Sequence, residues 1–162
     1  MILSKQSIEK LITEKKIKIN PFDEASVGTV SIDLHLDSVA LDPAKNKELS
    51  LNNYYLTNDN FILVNALEFI ELPANLIARI VPRSSLARLG VLCTFEADIL
   101  APNFAGKPLF TLKNLSNKPV LTRPGLAIAQ LIFEEVDQEV EVQTSRYDHK
   151  KLEESKLCEE LE

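Results

Sequence analysis

Apolar and polar residues alternate along residues 29–36, which is the clearest periodic segment of the chain. The apolar positions are Val30, Ile32, Leu34 and Leu36. The polar positions are Thr29, Ser31, Asp33 and His35. A period of two places alternate side chains on opposite faces of a strand. The pattern therefore predicts a half-buried strand, and we interpret its Asp33 and His35 face as solvated or as facing another subunit.

Further short apolar segments have the length and composition of strands. They lie at residues 38–41, 54–57, 61–64, 76–81, 108–113, 126–133 and 139–143. Turn signals rich in Pro, Gly, Asn and Asp separate them, whereas the polar residues 42–53 predict a loop. Many short strands at this spacing predict an all-β sandwich or barrel.

The two ends of the chain have different patterns. Ser4 is a predicted N-cap for a short helix that places Ile8, Leu11 and Ile12 on one face. Residues 148–162 are mostly charged, with sparse leucines, and predict a helical or flexible tail. The sequence therefore predicts a β domain over residues 1–147, followed by this tail.

Composition narrows the function classes. A net charge of −6 argues against a nucleic-acid surface, and no apolar run approaches the length of a membrane span. The two cysteines, Cys93 and Cys158, lie far apart and are interpreted as free thiols of a cytoplasmic protein. With only two histidines, the chain lacks the ligands of a histidine-based zinc site, which excludes zinc-dependent deaminases.

Candidate chemistry is concentrated at residues 83–90, after an apolar run and before Gly90. Arg83 and Arg88 carry guanidinium groups that can fork onto phosphate oxygens. Ser84 and Ser85 can donate hydroxyls to the same anion, or cap the short helical turn that follows. The segment is therefore either an anion site or a capped surface turn with solvated arginines.

Four motifs in a consistent order give the chain a family resemblance. They are residues 31–36, residues 83–90, the turn 123–125 and the strand 128–133. Together they closely resemble the family that unites dCTP deaminases with trimeric dUTPases, and the N-terminal residues 1–4 look like the deaminase branch. The resemblance implies a dUTPase-like distorted barrel or jelly-roll-like sandwich with a short N-terminal helix, assembled as a homotrimer.

The same resemblance implies a ligand and the residues that contact it. The ligand is a deoxynucleoside triphosphate accompanied by Mg²⁺, with no protein-bound zinc. Its expected contacts are Arg83, Ser84, Ser85, Arg88, Gln130 and Tyr147. Gln130 is expected to be buried on the strand face of Leu126, Ile128 and Ile132, where its amide needs a partner, either structural or nucleotide. Tyr147 corresponds to a remnant of the family's closing C-terminal segment.

The positions that carry the family's chemistry differ in this chain. Pro102, Phe104 and Gly106 hold the register, which places Ala101 at the family's aspartate and Thr111 at the deaminase's glutamate. Neither side chain can take a proton from water near pH 7. Glu96 and Asp98 are the nearby carboxylates that could substitute.

Two functions follow. The first is a dCTP deaminase/dUTPase-family protein of pyrimidine deoxynucleotide metabolism that binds its triphosphate through the arginine and serine residues. Deamination of dCTP is implied by resemblance, although the catalytic carboxylates are absent. The second is a non-catalytic, trimeric nucleotide-binding or regulatory homologue.

Overall fold

The computed structural model describes residues 1–59, 61–93 and 98–141. The predicted N-terminal helix is confirmed as α1, Lys5–Thr13. Ser4 is its N-cap, with the side chain accepting from the Ser7 backbone N–H. Ile8 is fully buried on the inner face of the helix. No helix among the described residues is long and apolar enough to cross a membrane.

The rest of the described chain is mostly strand. Its strands are β1 Lys18–Asn20, β2 Ile32–Asp42, β3 Lys47–Ser50, β4 Tyr54–Leu56, β5 Phe61–Ala66, β6 Phe69–Glu71, β7 Leu76–Pro82, β8 Val91–Cys93, β9 Ile99–Leu100, β10 Ala105–Gly106, β11 Leu109–Asn114, β12 Val120–Thr122 and β13 Ala127–Glu135. A 3-10 turn, Glu24–Ser26, precedes β2, and α2, Ser84–Arg88, follows β7. The all-β prediction with a short N-terminal helix is therefore confirmed.

The strands form one large curled sheet and two small ones. The eight-stranded sheet has the order β8-β11-β5-β2-β13-β7-β9, with β3 paired to β2 beside this path. A three-stranded sheet, β1-β6-β10, and a pair, β12-β4, complete the described fold. Within the large sheet, β2, β13 and β7 are neighbours through antiparallel pairing. This order brings the predicted motif strands together.

The core consists mostly of Ile, Leu, Val and Ala side chains. Phe110 and Phe133 are its largest fully buried side chains, and Cys93 lies in it as a free thiol. Burial raises the pKa of the Cys93 thiol to about 12. Asn114 is a buried amide whose nitrogen donates to the Leu56 and Lys118 carbonyls, so it ties β11 to the β12–β4 pair.

The first predicted strand is longer and starts later than the alternation suggests. Residues 32–42 form a single strand, β2, so the separate segments 29–36 and 38–41 are joined. Val30 lies before the strand and is 42% exposed, whereas Ser31 is buried. The predicted inward position of Val30 was therefore wrong. The alternating sequence pattern begins at Thr29, whereas β2 begins only at Ile32.

Two other predictions also differ from the structure. Residues 42–53, predicted as a loop, contain β3, which pairs with β2 from Val39 to Asp42 as a hairpin. The mostly exposed residues of β3 form a strand because they pair with β2, and not because one of their faces is buried. Residues 139–141 of the predicted strand 139–143 have no strand structure, and 142–143 lie outside the described residues. The predicted tail, 148–162, also lies outside them.

Candidate functional site

The predicted anion-binding segment is a tight connection between a strand and a helix. β7 ends at Pro82, Arg83 is the N-cap of α2, and Gly90 follows with φ +74°. Leu86 is buried and anchors the helix to the core. Ser84 and Ser85 are the first two helical residues, so the alternative in which they cap the helix was wrong.

Three of the four residues predicted to bind an anion lie on the exposed side of α2. Ser84, Ser85 and Arg88 are all exposed. Residues three and four apart lie on one side of a helix, so Ser84 and Ser85 are on the same side of α2 as Arg88. Within the described part of the chain, these three side chains make no side-chain hydrogen bond or ion pair, which leaves their donors available to an anion. We call Arg83, Ser84, Ser85 and Arg88 the anion site.

Arg83 is held by two neighbouring strands. Its guanidinium forms a part-buried ion pair with Asp33 of β2. The Gln130 amide of β13 donates to the other Asp33 oxygen at 3.0 Å. Gln130 lies opposite Asp33 of β2 and opposite Val81 of β7. Asp33, Gln130 and Val81 therefore share one face of the sheet, next to the end of β7 where Arg83 lies. We call Asp33, Arg83 and Gln130 the Asp33 cluster.

One of the two alternatives for this face was wrong. The side chains of Asp33 and His35 are not simply solvated, because Asp33 pairs with Arg83 and the His35 ring contacts Glu68 at 2.6 Å. Sequence reasoning therefore left Asp33 out of the site, although its place on the polar side of an alternating strand was the available signal. The other alternative, a face directed towards another subunit, stays a prediction.

Gln130 shares its side of β13 with Ile132, as predicted, but not with the buried Ile128. A β-bulge between Ala127 and Ala129 adds one residue to β13, so Ile128 and Ala129 are both buried. Beyond the bulge, Gln130 is on the half-buried side, opposite the face of Leu131 and Phe133. The expectation that its amide needs a partner was correct, and the partner is Asp33.

The positions expected to carry catalysis lie elsewhere in the fold. Ala101 is exposed in the turn after β9. Thr111 lies on β11, directly opposite Leu63, and its hydroxyl is buried with no hydrogen-bond partner among the described residues. Three strand spacings, roughly 14 Å, separate β11 from β13 in the sheet. One chain therefore does not bring Thr111 beside Gln130.

Of the two predicted substitute bases, Glu96 and Asp98, only Asp98 lies within the described residues. Its backbone carbonyl accepts from the Ile80 N–H at 2.6 Å. Its carboxylate lies close enough to Arg79 to favour the charged guanidinium. Glu134, bonded to Arg79 at 2.6 Å, is the main cause of the raised pKa of Arg79, and Asp98 adds a smaller contribution. Glu96 and Tyr147 lie outside the described residues.

Comparisons with known proteins agree on one family. A family model described as dCTP deaminase-like matches residues 2–136. A "dCTP deaminase, dUMP-forming" of Dictyoglomus turgidum is 32% identical over 154 residues, covering 82% of this chain and 79% of the relative. The protein of the same name from Mycobacterium avium is 35% identical over 149 residues, covering 81% of this chain and 78% of the relative.

Solved structures show the same fold. The 2′-deoxycytidine 5′-triphosphate deaminase from Agrobacterium tumefaciens superimposes with a TM-score of 0.69 at 24% identity, over 82% of this chain. This chain spans only about half of that structure, 47% of its length. A native EIAV dUTPase gives a TM-score of 0.56 at 15% identity, covering 80% of this chain and 95% of that one. The predicted dUTPase-like fold is therefore confirmed.

Proposed function

Because this chain belongs to the dCTP deaminase-like family of nucleotide metabolism, we propose that it binds a deoxynucleoside triphosphate at the anion site. The observation that carries the proposal is that Arg83 and Gln130 both bond the Asp33 carboxylate, beside the free donors of α2. Arginine forks and hydroxyls are the groups that recognise phosphate oxygens in proteins.

Asp33 gives this site a requirement for a cation. Its carboxylate holds Arg83 by an ion pair, so a bare triphosphate must compete with a negative charge already in place. Mg²⁺ commonly binds through one or two carboxylates together with substrate phosphates. Asp33 and the Gln130 carbonyl oxygen are suitable oxygen groups to face such an ion, which would supply charge neutralisation to the bound triphosphate. We therefore propose a Mg²⁺–triphosphate as the ligand.

We propose that the chain binds the triphosphate without deaminating it efficiently. Hydrolytic deamination needs a group that takes a proton from water and passes it to the leaving amine. Thr111 has a buried hydroxyl beside Leu63, and Ala101 has no functional group. The buried position of Thr111 favours the second candidate function, a nucleotide-binding or regulatory homologue that retains the ligand and not the chemistry.

A homotrimer is part of the proposal, and the outer face of the large sheet supports it. Leu63 and Thr111 lie side by side on this face, because they are directly opposite each other on β5 and β11. Nearby on β11 and β8, Leu109 and Leu92 are 42% and 39% exposed. Burying these side chains between copies would remove apolar surface from water.

Light scattering at micromolar concentration tests the assembly. We expect three times the mass of one chain, and a monomeric mass would contradict the proposal. Leu109→Asp is expected to dissociate the trimer. Leu121→Asp is the matched control, because Leu121 is 45% exposed on β12, outside this face.

Incubation with dCTP or dUTP and Mg²⁺, followed by calorimetry and product analysis, tests the proposed function. Saturable binding with little product supports it, and absence of binding to either triphosphate would overturn it. Because the proposed ligand is a soluble metabolite and Cys93 is a free thiol, we propose the cytoplasm as the location.

A further inference from the structure

A small cleft lies between the segment that follows β1 and the polar side of β2. Its volume is about 230 Å³, below the roughly 300–1,000 Å³ of pockets for drug-sized ligands. Ser26, His35 and Glu68 all line it, whereas none of the anion-site residues does. A hydroxyl, an imidazole and a carboxylate are the three functional groups of a serine hydrolase, which is recognised by geometry and not by their order in the sequence. We call these three residues the Ser26 triad.

His35 is held by the carboxylate of Glu68, a residue that is only 5% exposed. One Glu68 oxygen lies 2.6 Å from the ring Nδ1, and the other accepts from the His35 backbone N–H at 3.0 Å. The Leu67 N–H also donates to the His35 carbonyl at 2.7 Å. Because a carboxylate is an acceptor, Nδ1 is the donor, and the neutral ring has its free lone pair on Nε2. This is the tautomer that a general base needs.

Ser26 is available as a nucleophile in the same cleft. It is the last residue of the 3-10 turn, and its backbone N–H donates to the Asp23 carbonyl at 3.0 Å, which fixes its position. Within the described part of the chain, neither the Ser26 hydroxyl nor His35 Nε2 has a hydrogen-bond partner. Both groups therefore remain free for a substrate, and catalytic hydrogen bonds are often longer before the substrate binds.

The other groups of the cleft determine which substrate it accepts. Asp23 and Asp33 add two carboxylates, so an anionic substrate would be repelled. The Phe22 ring is 37% exposed and supplies an apolar wall. The backbone N–H groups of Phe22 and Asp23 make no hydrogen bond to a described residue, which leaves two donors for an oxyanion. An uncharged carboxylic ester with a small acyl group meets these conditions.

We propose that the Ser26 triad hydrolyses uncharged carboxylic esters, an activity separate from nucleotide binding at the anion site. Ser26 Oγ forms a bond to the carbonyl carbon of the ester, and its proton passes to His35 Nε2. The ester C–O bond breaks, and the alcohol leaves with this proton. Water then attacks the acyl group on Ser26, and its proton returns through His35 Nε2 to Ser26 Oγ as the carboxylic acid is released. Glu68 stays ionised throughout and is the positioning residue for the ring.

Phenylmethylsulfonyl fluoride, an uncharged reagent that sulfonylates activated serines, tests the nucleophile in the full chain. Mass spectrometry of the digested protein should find the adduct on Ser26 and not on Ser50, an exposed serine outside the cleft. Ser26→Ala should abolish the adduct, whereas the matched variant Ser50→Ala should keep it. Absence of an adduct on Ser26 would overturn the proposal.

Hydrolysis of p-nitrophenyl acetate tests the base. His35→Asn keeps an N–H where Nδ1 donates to Glu68 and removes Nε2, so the rate should fall about 100-fold or more while the melting temperature stays unchanged. His149→Asn removes the other imidazole of the chain and should leave the rate unchanged. Equal rates in wild type and His35→Asn would show that the His35–Glu68 pair is not part of a catalytic site.

Glu68→Gln separates the positioning role of Glu68 from a structural one. The amide oxygen can still accept from the His35 backbone N–H, while the amide nitrogen donates to Nδ1 and moves the ring proton to Nε2. The kcat for p-nitrophenyl acetate should therefore fall about 100-fold or more, with KM nearly unchanged. A kcat equal to that of the wild type would overturn the assigned tautomer and, with it, the Ser26 triad.

Discussion

The Asp33 cluster and the surroundings of Thr111 are two parts of one sheet with opposite character. In the cluster, strands β2 and β13 and the end of β7 bring a guanidinium and an amide onto the two oxygens of one carboxylate. Around Thr111, β5 and β11 bring together a leucine and a hydroxyl that has no partner among the described residues. The contrast teaches that the proposed phosphate site and the expected position of the catalytic base lie on different strands, so a chain can lose one and keep the other.

Turnover is the property for which this contrast predicts the largest effect. A positioned general base is typically worth ~10²–10⁴-fold in rate. Because the resemblance implies that Thr111 and Ala101 occupy the family's carboxylate positions, we expect release of ammonia from dCTP and of pyrophosphate from dUTP to stay at or near background. Chromatographic product analysis measures both. Robust turnover would show that another carboxylate, such as Glu96 or Asp98, supplies the base.

Restoring the glutamate is expected not to reverse this result. Thr111→Glu would place a charged carboxylate where a hydroxyl is already buried beside Leu63, and the position of Ala101 would still lack its carboxylate. Full recovery of deamination by this single substitution would show that the surroundings of Thr111 remain a competent catalytic pocket.

Binding of the triphosphate should depend on α2 and not on the strands around Thr111. Loss of a charge-assisted contact typically costs ~1.5–3 kcal/mol. We therefore expect Arg88→Ala to weaken Mg²⁺–triphosphate binding about tenfold or more in calorimetry. Lys113→Ala removes the same charge from β11 and should leave the affinity unchanged. Equal losses in both variants would indicate a general electrostatic effect instead of a phosphate site.

A smaller change is expected from the carboxylate that now holds Arg83. Asp33→Asn keeps the shape of the side chain and removes the charge that competes with a phosphate. In the absence of Mg²⁺, we expect triphosphate binding to tighten about threefold to tenfold, with a weaker dependence on Mg²⁺. Weaker binding both with and without Mg²⁺ would show that Asp33 mainly positions Arg83.

The smallest effect concerns stability near Thr111. An unsatisfied buried hydroxyl is destabilising, so Thr111→Val should raise the free energy of unfolding by about 1 kcal/mol in urea titration. Thr122→Val is the matched control: the Thr122 hydroxyl donates to the Tyr54 carbonyl at 2.9 Å, and its loss should lower stability by about 0.5–1.5 kcal/mol. A destabilised Thr111→Val would show that this hydroxyl has a partner in the assembled protein.

Local patterns in the sequence predicted those strands that have one buried face. They did not predict which strands, or which side chains, contact each other. Periodicity located β7, β11 and β13 because each alternates over five or more residues. It missed β3, whose polar residues become a strand only through pairing with β2. It also left Asp33 without a partner, because Arg83 lies 50 positions further along and meets it only after β7 and β2 have both paired with β13.

The β-bulge in β13 gives this strand one residue more than the segment of β2 with which it pairs. If the same residues paired without a bulge, Ala129 would lie opposite Asp33, and Gln130 would join the face that points into the core. Deletion of Ile128, in contrast, would remove the bulge and leave Gln130 opposite Asp33, at the cost of one buried side chain. At this point of β13, a one-residue deletion is therefore compatible with the Asp33 cluster, whereas a shift of the pairing register is not.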